Sequence, residues 1–309
     1  MYEIIKEGFA TIKIKKVDKI SKQMDVFYNH IMKTNRDISI LLLNSIDRKN
    51  MQIALPLAGS GIRGIRFLKE LNKNKIKNII FNDYNKRAVN SIKNNLKLNK
   101  LNKKEILVCN NDANLFLLNS NGFDYIDVDP FGSSNPYLEA AIKRISRKGI
   151  LAVTNTDTAA LTGTYPKACV RKYWSIPRKD YMMHETGLRI LIRKVQLIGM
   201  QYEKALWPIF SYFKDHYFRI FFQCIKGKKE VDKIAEKHGM FNNAGPLWMG
   251  NLWDSKLVNK MYKTILKQYN EKTINNKNLI KNKKIINNKS MKNTIINNNG
   301  KELLKMSQK

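Results

Sequence analysis

The chain has 309 residues, 43% of them hydrophobic, and carries 57 Lys and Arg against 25 Asp and Glu, a formal charge of +32. Such a length suits one large domain, or a catalytic domain with an appendage, and the charge points to a polyanionic partner, nucleic acid before membrane. Three scattered cysteines (Cys109, Cys169, Cys224) with no CxxC pair exclude a disulfide framework and a cysteine-rich zinc site, and no apolar run approaches bilayer length. The opening MYEIIKEGFA carries acids and no uninterrupted apolar core, so it does not read as a signal peptide, and a cytoplasmic protein is expected.

In chain order, a β-rich start (Thr11–Val17) precedes a helical stretch around Phe27–Ser45. Short apolar runs then alternate with amphipathic stretches. Strands are predicted at Met51–Leu57, Ile76–Phe81, Glu105–Cys109, Phe123–Val128 and Gly149–Thr154, with helices at about Ile62–Leu71, Arg87–Leu98, Asp112–Asn119 and Tyr137–Ile145. Thr156–Lys179 reads as a loop and Met182–Tyr202 as a strong helix, with Leu188, Leu191, Ile192 and Val195 at helical spacing. Ala205–Phe213 and His216–Ile225, separated by Lys214-Asp215, suit an antiparallel hairpin. Strand–helix alternation with short connections predicts an α/β fold with a parallel sheet covered on both faces. The terminal hairpin matches the Rossmann-like sheet of class I S-adenosylmethionine-dependent methyltransferases. Two regions are expected: 1–225, a methyltransferase domain with an N-terminal extension, and 226–309, a smaller C-terminal region. Beyond 254 the sequence is rich in Asn, Lys and Ile, a composition expected to be weakly helical or unstructured and to bury little. Of the +32, +12 falls on 255–309, which hold 14 Lys and two acids, leaving +20 on residues 1–254.

Four sites carry chemistry. Leu57-Ala58-Gly59-Ser60-Gly61 follows a strand and opens a helix, so Gly59 and Gly61 permit a tight turn that a ligand approaches closely. Asp83, ending the next strand, can accept hydrogen bonds from both hydroxyls of a ribose; capping the following helix is the plainer role. Asp112, before Ala113, can meet an adenine amine, with capping again the plainer role. Three strand ends so equipped point to one adenosine ligand. The fourth is Asp129-Pro130-Phe131, ending the run from Phe123. Methylating an exocyclic amine requires its nitrogen, whose lone pair is delocalised into the ring, to become tetrahedral. A carboxylate at Asp129 and the main-chain carbonyl of Pro130 can each accept one amine N–H, while Phe131 stacks the base; a strand-to-turn exit is the plainer reading of the same residues.

The segments Phe27-Tyr28-Asn29, Asn35-Arg36-Asp37, Gly61-Ile62-Arg63-Gly64-Ile65-Arg66, Asp124–Gly132, Thr156–Gly163, His184-Glu185 and Gly245-Pro246-Leu247-Trp248 closely resemble the tRNA (guanine-26, N2)-dimethyltransferases, in the same order over about residues 2–254. The resemblance implies transfer of methyl groups from S-adenosylmethionine to N2 of guanine 26 in tRNA, giving the mono- and dimethylated nucleosides. It places cofactor contacts on Arg36, Arg66, Asp83, Asp112 and Ala113, a catalytic pair on Asp129 and Pro130, and Phe27 and Phe131 beside the base. By residue chemistry alone, Arg36 and Arg66 fit a cofactor carboxylate or a solvated helix face, and Phe27 fits a core. The chain departs from the family at His30, at Asn155 within Thr154–Asp157, and at Ser134, where proline is usual. It also lacks the paired cysteines that hold zinc in many members, so no metal is expected. His184 and Glu185 read as structural; Arg171-Lys172-Tyr173 fits an RNA phosphate or an exposed basic turn equally. No obligate protein partner is expected. The alternatives are an amino-methyltransferase acting on rRNA or DNA, and a tRNA-binding protein with weak catalysis.

Overall fold

A computed structural model describes residues 2–15 and 26–267. Strands β1 (Tyr2–Glu7) and β2 (Ala10–Lys15) form an antiparallel hairpin, and α1 (Lys33–Ser45) follows a single 3-10 turn at His30–Met32. Of the expected strand Thr11–Val17, positions 16 and 17 lie outside the described residues; its partner β1 was not foreseen. The expected helix from Phe27 begins at Lys33 because Asn29, in extended conformation, accepts from the Ile31 amide and starts the turn there.

The central sheet has seven strands in the order β5-β4-β3-β6-β7-β9-β8. These are β3 (Met51–Leu55), β4 (Ile76–Asn82), β5 (Ile106–Cys109), β6 (Phe123–Val128), β7 (Ile145–Asn155), β8 (Lys204–Lys214) and β9 (Tyr217–Lys226). β3 through β7 pair in parallel, and β9 is antiparallel to both its neighbours, as the hairpin between β8 and β9 requires. The chain winds one way from β3 through β5 and the other way from β6, so the strand order reverses between β3 and β6. Ligands of open α/β sheets bind outside the carboxyl ends of the strands at such a reversal. Here those ends lead into Gly59 and Asp129.

The helices α2 (Ile62–Glu70), α3 (Lys86–Leu98), α4 (Ala113–Leu118), α5 (Asn135–Arg144) and α8 (Met183–Met200) cover the two faces. Alternation along β6 and β7 divides the core. Ile126, Val128, Leu151 and Val153 pack with α4, α5 and α8, whereas Tyr125, Ile150 and Ala152 pack with α1, α2 and the N-terminal hairpin. Helix α2 sits close on the sheet because Gly64 has no side chain: a Cβ there would come within 2.6 Å of Phe81 and Leu55 atoms.

Two expectations need correction. Thr156–Lys179 is not a plain loop: it contains α6 (Thr158–Leu161) and α7 (Pro166–Tyr173). Short helices with few apolar residues give too little periodicity to be found, and Pro166, at the first turn of α7, reads as a breaker when it is a helix start. After β9, α9 (Lys228–Ala235) and the pair β10 (His238–Phe241) and β11 (Ala244–Trp248) pack Ile234, Leu247 and Trp248 into the core shared with α8. Residues 255–267, expected to bury little, form a helix with Leu257 and Met261 buried beside α1. The remaining tail lies outside the described residues.

Candidate active site

The first part of the site is a cradle at the end of β3. Gly59 and Gly61 both take left-handed backbone, at φ 54° and 79°, where glycine is the unstrained choice. A Cβ on Gly59 would stand 2.8 Å from the Phe27 carbonyl, so the turn admits no side chain there. Asp83 closes the cradle from β4: its Oδ2 accepts from the Gly59 amide at 2.8 Å and its Oδ1 from the Asn85 amide at 2.9 Å. Burial pushes the Asp83 carboxyl up, and the two amides only partly offset this. The cap of α3 is Asn85, not Asp83, so the plainer reading of Asp83 does not describe it. Asp112 does cap α4, accepting from the Asn114 and Leu115 amides, and Ala113 is buried in the first turn. One further residue that these acids influence was not singled out from the sequence. Tyr137 of α5 has its phenol pushed up, first by burial and then by the charges of Asp112 and Asp83.

The second part is at the end of β6. Phe27 and Phe131 meet edge to face, with centroids 5.8 Å apart, and Phe131 is 48% exposed, so an aromatic side chain stands at the surface here. Pro130 is buried. Asp129 keeps 20% of its side chain exposed, while Asp127, two residues earlier and inside the strand, keeps 1%. Only the first can reach a ligand. An ion-pair system lies behind them. Asp129 Oδ2 is held by Arg63 Nη2; Asp127 takes Arg219 in a fork, Nη1 to Oδ1 at 2.9 Å and Nη2 to Oδ2 at 2.8 Å. Burial pushes the Asp127 carboxyl up, but Arg219 and Arg63 outweigh it and hold the group below the usual carboxylate range. Thr154 Oγ1 accepts from Arg219 Nη1 at 2.8 Å and from Asn35 Nδ2 at 3.2 Å. Asp127 and Arg219 were missed from the sequence, although Asp127 lies only two residues before Asp129 in the same run.

Arg36 and Arg66 are also brought together, around a carboxylate of the protein itself. Glu7 takes Arg36 Nε and Nη2 at 2.7 and 2.6 Å and Arg66 Nη1 at 2.9 Å; Arg66 also pairs with Asp37 and Glu70. Burial opposes the charge on Glu7, yet the two guanidiniums bring its carboxyl down to about 2. The solvated-helix-face reading of the two arginines does not describe them, since both are buried. Arg36 Nη2 also donates to the Asn29 carbonyl, two residues from Phe27, so this cluster adjoins the aromatic pair.

The profile of the N2,N2-dimethylguanosine tRNA methyltransferases matches residues 8–244. The chain belongs to this family. It is 38% identical over 301 residues to the tRNA (guanine(26)-N(2)/guanine(27)-N(2))-dimethyltransferase of Aquifex aeolicus, covering 86% of this chain and 76% of that one. It is 39% identical over 303 residues to the tRNA (guanine(26)-N(2))-dimethyltransferase of Methanocaldococcus jannaschii, covering 90% and 80%. Among solved structures, the complex of Trm1 from Pyrococcus horikoshii with S-adenosyl-L-methionine superposes with a TM-score of 0.78 at 35% identity, covering 85% of this chain and 77% of that one.

Two departures from the usual sequence of the N2,N2-dimethylguanosine methyltransferases turn out to be partners. Asn155 Oδ1 accepts from the Ser134 amide at 2.9 Å, a bond that a proline at 134 could not donate. His184 stacks on Phe213 (centroids 4.2 Å apart), and Glu185 pairs with Arg189, whose Nη1 reaches the Trp248 and Gly250 carbonyls. His184 therefore holds α8 against β8, and Glu185 orients the Arg189 that ties α8 to the end of β11 and the segment after it. In the basic stretch, Tyr173 is buried with its hydroxyl toward Ser133 and Asp157, Lys172 pairs with Asp157, and Arg171 is exposed.

Proposed function

We propose that this protein transfers methyl groups from S-adenosylmethionine to N2 of guanine 26 in tRNA, giving the N2-methyl and N2,N2-dimethyl nucleosides, and that it works in the cytoplasm. The observation that carries this reading is a partly exposed carboxylate, Asp129, and a half-exposed aromatic side chain, Phe131, at the strand reversal, beside a glycine turn that Asp83 closes. The residues suit the cofactor: Gly59 has no room for a Cβ, and Asp83 and Asp112, at successive strand ends, can meet the ribose hydroxyls and the adenine amine. Arg36 and Arg66 can attract the cofactor's carboxylate, which would share them with Glu7. Bound there, the cofactor supplies a methyl group activated on a sulfonium sulfur.

The protein's part is to prepare the nitrogen. Asp129 accepts one N–H of the guanine amine and the Pro130 carbonyl the other, drawing the lone pair out of conjugation and toward the methyl carbon. As the N–C bond forms, the C–S bond breaks and the nitrogen becomes cationic; one of its protons then leaves along the bond to Asp129, and the next methyl finds an amine with one N–H remaining. Phe131 and Phe27 hold the base plane, and Arg171, exposed beside this edge, suits a backbone phosphate.

Methyl transfer from labelled cofactor to an unmodified tRNA transcript, with nucleoside mass spectrometry of the product, tests the reading. Label in N2-methylguanosine at position 26 is the expected result. Label entering rRNA or DNA but not tRNA supports the amino-methyltransferase alternative, and tight tRNA binding without label supports a binding protein. Replacing the acceptor as Asp129→Ala should lower kcat at least about 100-fold with cofactor affinity nearly unchanged; a variant turning over at the normal rate removes Asp129 from the mechanism.

A further inference from the structure

The carboxylate at the centre of this reading does not stand alone, and what lies behind it is more than a support for the fold. Asp127, on β6, and Asp129, one residue past its end, both reach Arg63, so two negative charges compete for whatever cations are near. Two arginines are near, and they divide the work unequally. Arg219, on β9, is fully buried and spends both ends of its fork on Asp127. Arg63, on α2, points Nη1 to Ser39 Oγ at 3.1 Å and stands 3.4 Å from Asp127 Oδ2, a contact too long to be its main bond. Its Nη2 goes to Asp129. Ser39 Oγ accepts from both guanidiniums, from Arg219 Nη2 at 3.0 Å, and is itself anchored on the Asn35 carbonyl at 2.7 Å. One hydroxyl thus sets the separation of the two cations.

We propose that Arg63 is a positioning residue for the methyl-transfer reaction: it fixes one oxygen of Asp129 so that the other faces the amine, and Arg219 makes this possible by neutralising Asp127. This inference rests on the proposed function, because it assigns a task to Asp129. A guanidinium on Oδ2 locks the rotation of the carboxyl group and leaves a single oxygen to accept the N–H. An unheld carboxylate at 20% exposure would sample several orientations, only some of which pull the lone pair toward the methyl carbon. Without Arg219, Asp127 would draw Arg63 down from Asp129.

The test uses the full chain, labelled cofactor and an unmodified tRNA transcript. Arg63→Ala is expected to lower kcat about 100-fold or more, leaving KM for tRNA and cofactor affinity within about threefold. Millimolar guanidinium added to that variant is expected to restore kcat about tenfold, since the small cation can re-occupy the space beside Asp129. A purely structural role would move the melting temperature, and guanidinium would not restore turnover. Arg63→Ala with kcat within about threefold of wild type, or a loss that guanidinium leaves untouched, overturns the proposal. If Arg63→Ala does not fold, Arg63→Lys decides: one ammonium cannot bridge Ser39 and Asp129 together, so kcat should fall about tenfold in a protein that melts normally, and an unchanged kcat overturns the proposal. A wild-type chain that transfers no label to tRNA defeats the function itself, a result separate from any ranking of the variants.

Discussion

Single residues here are held by groups that sequence reading pairs only with difficulty. Glu7 is 3% exposed and lies between Arg36 and Arg66, with its carboxyl brought down to about 2 from an ordinary 4.5. A carboxyl whose folded value is depressed stabilises the fold above its unfolded value and loses that contribution as pH falls toward its folded value. The window is therefore pH 4.5 down to about 2, and the shift is worth on the order of 3 kcal/mol at neutral pH. Urea unfolding of wild type and Glu7→Gln should show a difference that is constant above pH 5 and shrinks steadily below about 4.5; a difference that stays constant down to pH 3 would mean that Glu7 is not held as described. The pair Ser134 and Asn155 makes a second case. Both are fully buried, and Asn155→Ala leaves the Ser134 amide without its acceptor, at about 1–3 kcal/mol. Ser134 has φ −75°, which proline adopts freely, so adding Ser134→Pro removes the orphaned N–H and should recover about 1 kcal/mol. Thermal melts of the two single variants and the double variant check this; penalties that simply add would show the two departures to be independent. From sequence the residues with a local motif were legible: Gly59, Gly61, Asp83, Asp129 and Phe131 each sit at a strand end. Glu7 and Arg219 were not, because each meets its partner across a distance in sequence that no pattern records.

At the scale of elements, hydrophobic period decided what could be foreseen. The runs that became β3 to β6 and helices α2, α3 and α8 are long enough, or apolar enough, to declare a period of 2 or 3.6, and they were placed to within a few residues. Helices α6 and α7 escaped because four and eight residues give at most two turns. The helix at 255–267 escaped for another reason: its burial rests on few side chains in a polar, lysine-rich background. Leu257 is 9% exposed and Met261 1%, both against the core beneath α1, while Thr264 Oγ1 accepts from Ser45 and Lys260 pairs with Asp47. If those two apolar groups hold the helix, Met261→Ala should cost about 2–4 kcal/mol, whereas the volume-conserving Met261→Leu should cost less than about 1.5 kcal/mol. Chemical denaturation of both variants separates them. Equal and small losses would mean that the helix contributes little to the fold.

On the scale of the whole molecule, the sheet order could be argued from alternation and the terminal hairpin, and with it the position of the site, since a strand reversal has one carboxyl edge. What alternation does not give is how the surplus charge is used. Lysine enrichment in a compositionally biased sequence produces a positive surface whether or not a polyanion binds there, so the +32 alone does not distinguish a working surface from drift. Salt dependence does distinguish them. Each phosphate neutralised by a lysine or arginine releases condensed counterions, and the affinity then falls with a slope set by the number of contacts. Residues 1–254 keep +20 without the Lys-rich remainder, enough for several phosphate contacts. Affinity for tRNA should therefore fall at least about 100-fold between 50 and 200 mM salt. The same measurement on a chain ending at residue 267 apportions the effect. Contacts made by residues 1–267 leave its slope close to that of the full chain, whereas contacts made by the lysines beyond 267 reduce the slope by about one for each phosphate lost. A flat dependence in both chains would mean that the positive charge does not serve tRNA, and that recognition must rest on the pocket around Phe131 alone.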